Sequence, residues 1–137
     1  MTKEDYLLLS LYYSSKGCFT SPQMVRIMFL LYKNLSLDDF FTFEPSSFGP
    51  SMKESCILYL NNLIEQHYIL KKKESFVDMY HICKLGMIKA DMLRDTTSDF
   101  NHMYMIDVVN FVDNQLWTNV VASINHAYPE YVINNFF

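Results

Sequence analysis

Asp78, His81 and Cys83 form the one local grouping in this sequence that places a carboxylate, an imidazole and a thiol within six residues. Such a trio is what a thiol nucleophile with a base and an orienting acid would need. On an extended strand, His81 and Cys83 would also turn to the same side, as the first pair of a metal site does. Both uses lack the rest of their parts. A structural zinc site takes a second close pair of ligands, whereas Cys56 and His67 stand apart. The glycine-rich turns that build an oxyanion site, the phosphate loop and the His-Glu-x-x-His helix are missing from a chain with three glycines. The expectation is a non-enzymatic protein with no metal and no cofactor. Cys18, Cys56 and Cys83, odd in number and set among apolar residues, read as reduced core thiols.

Two other groupings point to binding. Lys71, Lys72 and Lys73 are the only basic run, suited to phosphates. Lys53, Asn61 and Asn62 lie on a segment of helical spacing, where asparagine could read adenine. Against this, the chain is acidic. Residues 1–94 hold all 11 Lys and Arg and 10 of the 15 acids, for +1, while residues 95–137 hold the other 5 acids and no Lys or Arg, for −5. A phosphate backbone would repel that last third. It carries eight aromatics, among them Trp117, Tyr128, Tyr131, Phe136 and Phe137. Aromatic side chains dominate interface energies, because each buries a large area with few rotors to freeze. These five are the expected contacts to a protein partner, and a homodimer is a further possibility.

The elements that must position these groups follow from the apolar spacing and the breaks. Lys3 to Ser15 has a broad apolar surface at helical spacing. Ser21-Pro22 starts a second helix, with Ser21 as N-cap and Pro22 at the first helical position. That helix, to Lys33, is apolar almost all round and so belongs at the centre. Asn34 to Pro50 is a long connection whose Phe40, Phe41 and Phe43 fold back onto the core. Gly49-Pro50 ends it, and Ser51-x-x-Glu54 reads as a capping box opening a helix from Ser51 to Gln66, with Ile57, Leu60, Leu63 and Ile64 on its inner face. Tyr68–Lys72 and Phe76–Ile82 are strands joined at Lys73-Glu74-Ser75, and Leu85-Gly86 precedes a short helix to Leu93. Helices return after Thr96-Thr97-Ser98-Asp99, over Phe100–Val112 and Leu116–Ala127, and Pro129 opens a last turn.

At 137 residues this is one domain's worth of chain. The order of elements is that of a mainly α (α+β) protein: a winged helix-turn-helix over about residues 1–94 and a helical C-terminal extension over 95–137 packed on it. No run approaches eighteen apolar residues, and the start carries acid where a secretion signal needs a basic flank. A cytoplasmic, membrane-free protein is expected.

The motifs also carry a resemblance. Thr20 with Gln23-Met24, the phenylalanine-rich loop with Phe41 and Phe43, Phe48-Gly49-Pro50-Ser51 leading to a helix that ends near Tyr68-Ile69, and the terminal Tyr128-Pro129-Glu130-Tyr131 are similar to features of a group of small prokaryotic winged-helix proteins. That group includes antitoxin-like domains of the Panacea type and the small middle subunits of ABC-ATPase three-component defence systems. The resemblance implies a non-enzymatic adaptor or regulatory subunit, with a toxin or an ATPase or effector subunit as its partner in a phage-defence or toxin–antitoxin assembly. It brings no catalytic residue. The second helix has few lysines compared with the group, which puts its DNA binding in doubt for this chain; a winged-helix transcriptional regulator is the alternative expectation.

Overall fold

A computed structural model describes residues 1–133 of the chain. It is a mixed α+β fold with six α-helices and two small antiparallel sheets among the described residues. Helix α1 (Lys3–Tyr13) starts at a capping box, in which the Thr2 hydroxyl accepts from Asp5 N and the Asp5 carboxylate accepts from Thr2 N at 2.8 Å. It buries Leu7, Leu8, Leu9 and Leu11 almost completely. A helix buried on so many sides must be wrapped by others, and α1 touches four of the other five helices, α2 to α5.

Strand β1 (Cys18–Thr20) leads into α2 (Ser21–Asn34). The cap is Thr20, one residue before the expected Ser21; its hydroxyl accepts from Gln23 N while the Gln23 side chain accepts from Thr20 N. Pro22 holds its expected place in the first turn. Met24, Ile27, Met28, Phe29 and Leu31 are buried, as the apolar sequence requires. Phe40, Phe41 and Phe43 do fold back into this core.

The expected start of the third helix is corrected. Residues 49–52 are a strand: β3 (Gly49–Met52) pairs antiparallel with β2 (Phe43–Ser46), with Glu44 opposite Ser51 and Pro45 opposite Pro50. The ladder therefore places Ser51 in a strand, and Glu54 is used elsewhere, accepting from Thr42 N and Thr42 Oγ1 at 3.0–3.1 Å. Helix α3 (Cys56–Glu65) begins five residues later than expected, with Ser55 at its N-cap and no side-chain cap bond. Its inner face is Cys56, Leu60 and Leu63, with Ile64 half-buried; Ile57 points out.

Strands β4 (Ile69–Glu74) and β5 (Val77–Ile82) form the expected hairpin, and β1 joins its other edge, giving the order β1-β5-β4. The turn lies at Ser75-Phe76, later than expected. Both residues have positive φ, 50° and 69°, the twist that a two-residue hairpin turn demands. Helix α4 (Lys84–Arg94) runs through Gly86 instead of starting after it. A Cβ there would strike the backbone oxygen of Tyr68, so the glycine is what lets α4 lie against the hairpin.

Helices α5 (Asp99–Asn114) and α6 (Trp117–Ala127) and a 3-10 turn (Pro129–Tyr131) complete the fold. Met105, Val108, Val109, Val112, Val120 and Ile124 join the same hydrophobic core as α1 and α2. Asp113 fixes the α1 end, accepting from Ser14 Oγ at 3.0 Å and Ser15 N at 2.9 Å. Near the end of the described chain, Ile133 N donates to Ser46 O at 2.9 Å, tying it to the β2–β3 hairpin.

Candidate interaction surfaces

Among the described residues a cleft opens between α2, the β2–β3 turn and α6. Its volume is about 510 Å3, within the usual range for a ligand site, and Pro22, Arg26, Phe48, Trp117, Val121 and Asn125 line it. Arg26 sits in the middle of α2 at a position the helix buries, and only 9% of it is exposed. The hairpin turn provides its cover. The Ser46 hydroxyl donates to Gly49 O at 2.7 Å and accepts from Phe48 N, and this holds Phe48 O where Arg26 Nη2 donates to it at 2.8 Å. The guanidinium lies 5.3 Å from the Trp117 ring centroid, within cation–π range.

No carboxylate among the described residues forms an ion pair with Arg26. Burial lowers its pKa, with no neighbouring charge opposing the effect. Arg26 Nε is buried without a hydrogen-bond partner, and so is Asn125 Oδ1 on the α6 side. Asn125 rests against Gly49, whose φ of 107° and missing side chain make the room. A second cavity of about 360 Å3 adjoins Arg26 on the side of Ser21, Val25 and Met52. Glu54 borders it, yet that carboxylate is turned to Thr42 and, at 4.0 Å, to Lys3.

The residues singled out for partner contact divide into three groups. Trp117 opens α6 and lines the cleft, 38% exposed. Beside it the apolar rim stays in solvent, with Phe48 79% and Leu116 73% exposed. Tyr128 and Tyr131 are half-buried: both set their edges on Phe29, at centroid distances of 5.2 and 4.8 Å, and Lys33 Nζ lies 5.6 and 5.3 Å from their rings. Phe136 and Phe137 lie outside the described residues.

Of the residues considered for nucleic acid, Lys53 sits in the link before α3, off the helix. Asn61 and Asn62 are exposed on α3, and Asn62 Nδ2 donates weakly to Glu4 at 3.4 Å. Lys71, Lys72 and Lys73 are exposed on β4 and alternate between its two sides. Phe76, at the tip of that hairpin, is 97% exposed.

Cys83 is the N-cap of α4 and lies past the end of β5, so it and His81 do not form a pair on one strand face. His81 Nε2 pairs with Glu74 at 3.2 Å. Among the described residues no group of three or more His, Cys, Asp or Glu could hold a metal. Burial pushes the Cys56 thiol up to about 12 and raises that of Cys18. Among the described residues no helix is long and apolar enough to cross a membrane.

Reading the sequence alone passed over Arg26, Phe48, Asn125 and Phe76. Arg26 did leave a signal, being the one charge between Pro22 and Lys33 on an otherwise apolar helix. Comparison with family models, with curated proteins and with solved structures gives no match for this chain.

Proposed function

We propose that this chain is a non-enzymatic winged-helix module that binds a protein partner, as an adaptor or regulatory subunit of a prokaryotic phage-defence or toxin–antitoxin assembly. The winged-helix part of the reading rests on the order α1-β1-α2-β2-β3-α3-β4-β5, in which the β2–β3 hairpin is inserted between α2 and α3, and on the sheet order β1-β5-β4, with β4–β5 as the wing. The partner part rests on one observation. Phe48 and Trp117, from two distant parts of the chain, line a single concave site with apolar surface in solvent, and Leu116, next to Trp117 in the chain, is exposed as well. Exposed apolar residues rimming a cleft are how contact sites for other molecules look. The assembly type rests on the resemblance carried by Phe48-Gly49-Pro50 and Tyr128-Pro129-Glu130-Tyr131.

Capture of the tagged protein from its host at high salt tests this reading. The expected outcome is a stoichiometric protein partner that the double variant Phe48→Asp with Leu116→Asp loses, while its circular dichroism and melting remain those of the wild type. Both side chains project into solvent, so the fold does not depend on them. A partner retained by the double variant overturns the surface assignment.

A DNA-binding regulator is the second reading, and the tip of the β4–β5 hairpin favours it. Phe76 stands in solvent in a left-handed conformation close to Lys72 and Lys73. Side chains of this kind can wedge between base steps while lysines hold phosphate. It predicts duplex binding that falls steeply with salt, with a slope reduced by about one for each lysine replaced. Binding unaffected by Lys71→Ala, Lys72→Ala and Lys73→Ala together removes it.

A further inference from the structure

We propose that the α2–α6 cleft is a carboxylate site, and that its ligand is a polypeptide carboxylate beside an apolar side chain. Arg26 pairs the charge, and Phe48 and Trp117 pack the apolar body. Only the source of the ligand rests on the partner-binding reading above; the chemistry of the site stands on its own residues.

The first ground is the cation itself. A buried guanidinium with no carboxylate beside it among the described residues is costly, and an arriving anion removes that cost. The second is the pair of orphans. Buried polar atoms without partners are few in a native fold and each asks for an explanation. The two among the described residues are Arg26 Nε, on a residue that lines this cleft, and Asn125 Oδ1, which is turned onto Gly49 at the cleft wall. The third is the placement of the helices. The first turns of α2, at Pro22, and of α6, at Trp117, both reach the cleft, and α6 has no side-chain cap. The positive ends of both helices therefore favour an anion here.

The kind of anion follows from the same residues. One guanidinium in a chain of net charge −4, with −5 in its last third, suits a single negative charge better than a phosphate dianion. A carboxylate also matches the fork of donors that arginine offers. The apolar rim continues beyond the cleft through Phe48 and Leu116, so a ligand longer than one residue gains contact there.

Trp117 is the only tryptophan, so its emission reports on the cleft directly. The full chain is titrated with acetyl-Ala-Ala-Phe bearing a free carboxylate, with the same peptide as its C-terminal amide, with N-acetyl-phenylalanine, and with inorganic phosphate. The acid peptide should give a saturable change, the amide one at least tenfold weaker, and phosphate none over the same range. Arg26→Gln should erase the preference for acid over amide. Phe48→Ala, at an exposed position, should weaken both peptides severalfold and leave the preference intact. Equal binding of acid and amide overturns the proposal, as does a preference that survives in Arg26→Gln. Should Arg26→Gln unfold, the comparison of acid with amide and the Phe48→Ala variant decide without it. Saturable phosphate binding would overturn the apolar part of the assignment. Binding of N-acetyl-phenylalanine with exclusion of the tripeptide would overturn the polypeptide source. Because no partner enters the titration, the partner-binding reading can fail in host capture while this one holds, and the reverse.

Discussion

Arg26 sets stability against function at a single position. Among the described residues its buried charge has no counter-charge, so an apolar side chain of similar length should suit the unliganded fold at least as well. Arg26→Met is expected to raise the unfolding free energy by about 1 kcal/mol, or about 3 °C in melting temperature for a chain of this size, while erasing the preference of the Trp117 response for acid over amide peptides. Thermal unfolding followed by circular dichroism checks it, and a clear loss of stability would mean that the Phe48 O bond outweighs the desolvation. Glu54 shows the opposite sign. Burial alone would raise its carboxyl, but hydrogen bonds from backbone N–H groups and the Thr42 hydroxyl, with Lys3 nearby, hold it below its ordinary 4.5. A depressed folded-state value means that the ionised form stabilises the fold. That contribution is complete above the ordinary value and is lost as the pH falls through the lower folded one. Glu54→Gln should therefore cost about 1 kcal/mol at pH 7 and progressively less as the pH falls below the ordinary 4.5, so the two stability curves converge on acidification.

At the scale of elements, Gly86 makes the sharpest prediction. In a helix interior, glycine to alanine normally stabilises by up to about 1 kcal/mol. Here the added Cβ meets the backbone oxygen of Tyr68 and, at 3.0 Å, Ile82 Cγ1. Gly86→Ala should cost roughly 2 kcal/mol instead, because it pushes α4 off the β4–β5 hairpin. Denaturant unfolding measures it. The same glycine shows where the sequence could be read and where it could not. Local signals placed most elements: the apolar run of α2, the two strands on either side of Ser75, and the cluster ending in Ser98 before α5. What failed was any element whose use of a residue is decided from afar. Gly86 looks like a break unless Tyr68 is known to lie against it. Ser51 and Glu54 look like a helix cap until Glu44 pairs with Ser51 and Thr42 takes the Glu54 carboxylate. The cleft follows the same rule. Trp117 stood out by type alone, whereas Arg26, Phe48 and Asn125 become a site only when residues 22 to 125 are brought together.

Over the whole molecule, the last third shares its core with the first. Met105, Val108, Val109 and Val112 of α5 and Val120 and Ile124 of α6 belong to the cluster that holds Leu7, Leu8 and Leu11, and Asp113 anchors the turn after α1. A chain ending at Arg94 should then expose the α5-facing side of α1 and fail to give a sharp thermal transition. The full chain should unfold in one step by near- and far-ultraviolet circular dichroism alike. A cooperative melt of residues 1–94 would contradict that. The same arrangement bears on how the protein is made. Helix α1 leaves the ribosome before its cover, the last parts of which, α5 among them, follow more than eighty residues later. At elongation rates of about 5–20 residues per second, the leucines of α1 wait several seconds for their final neighbours. During translation, the leucines of α1 are a stretch that a nascent-chain chaperone would hold until α5 arrives.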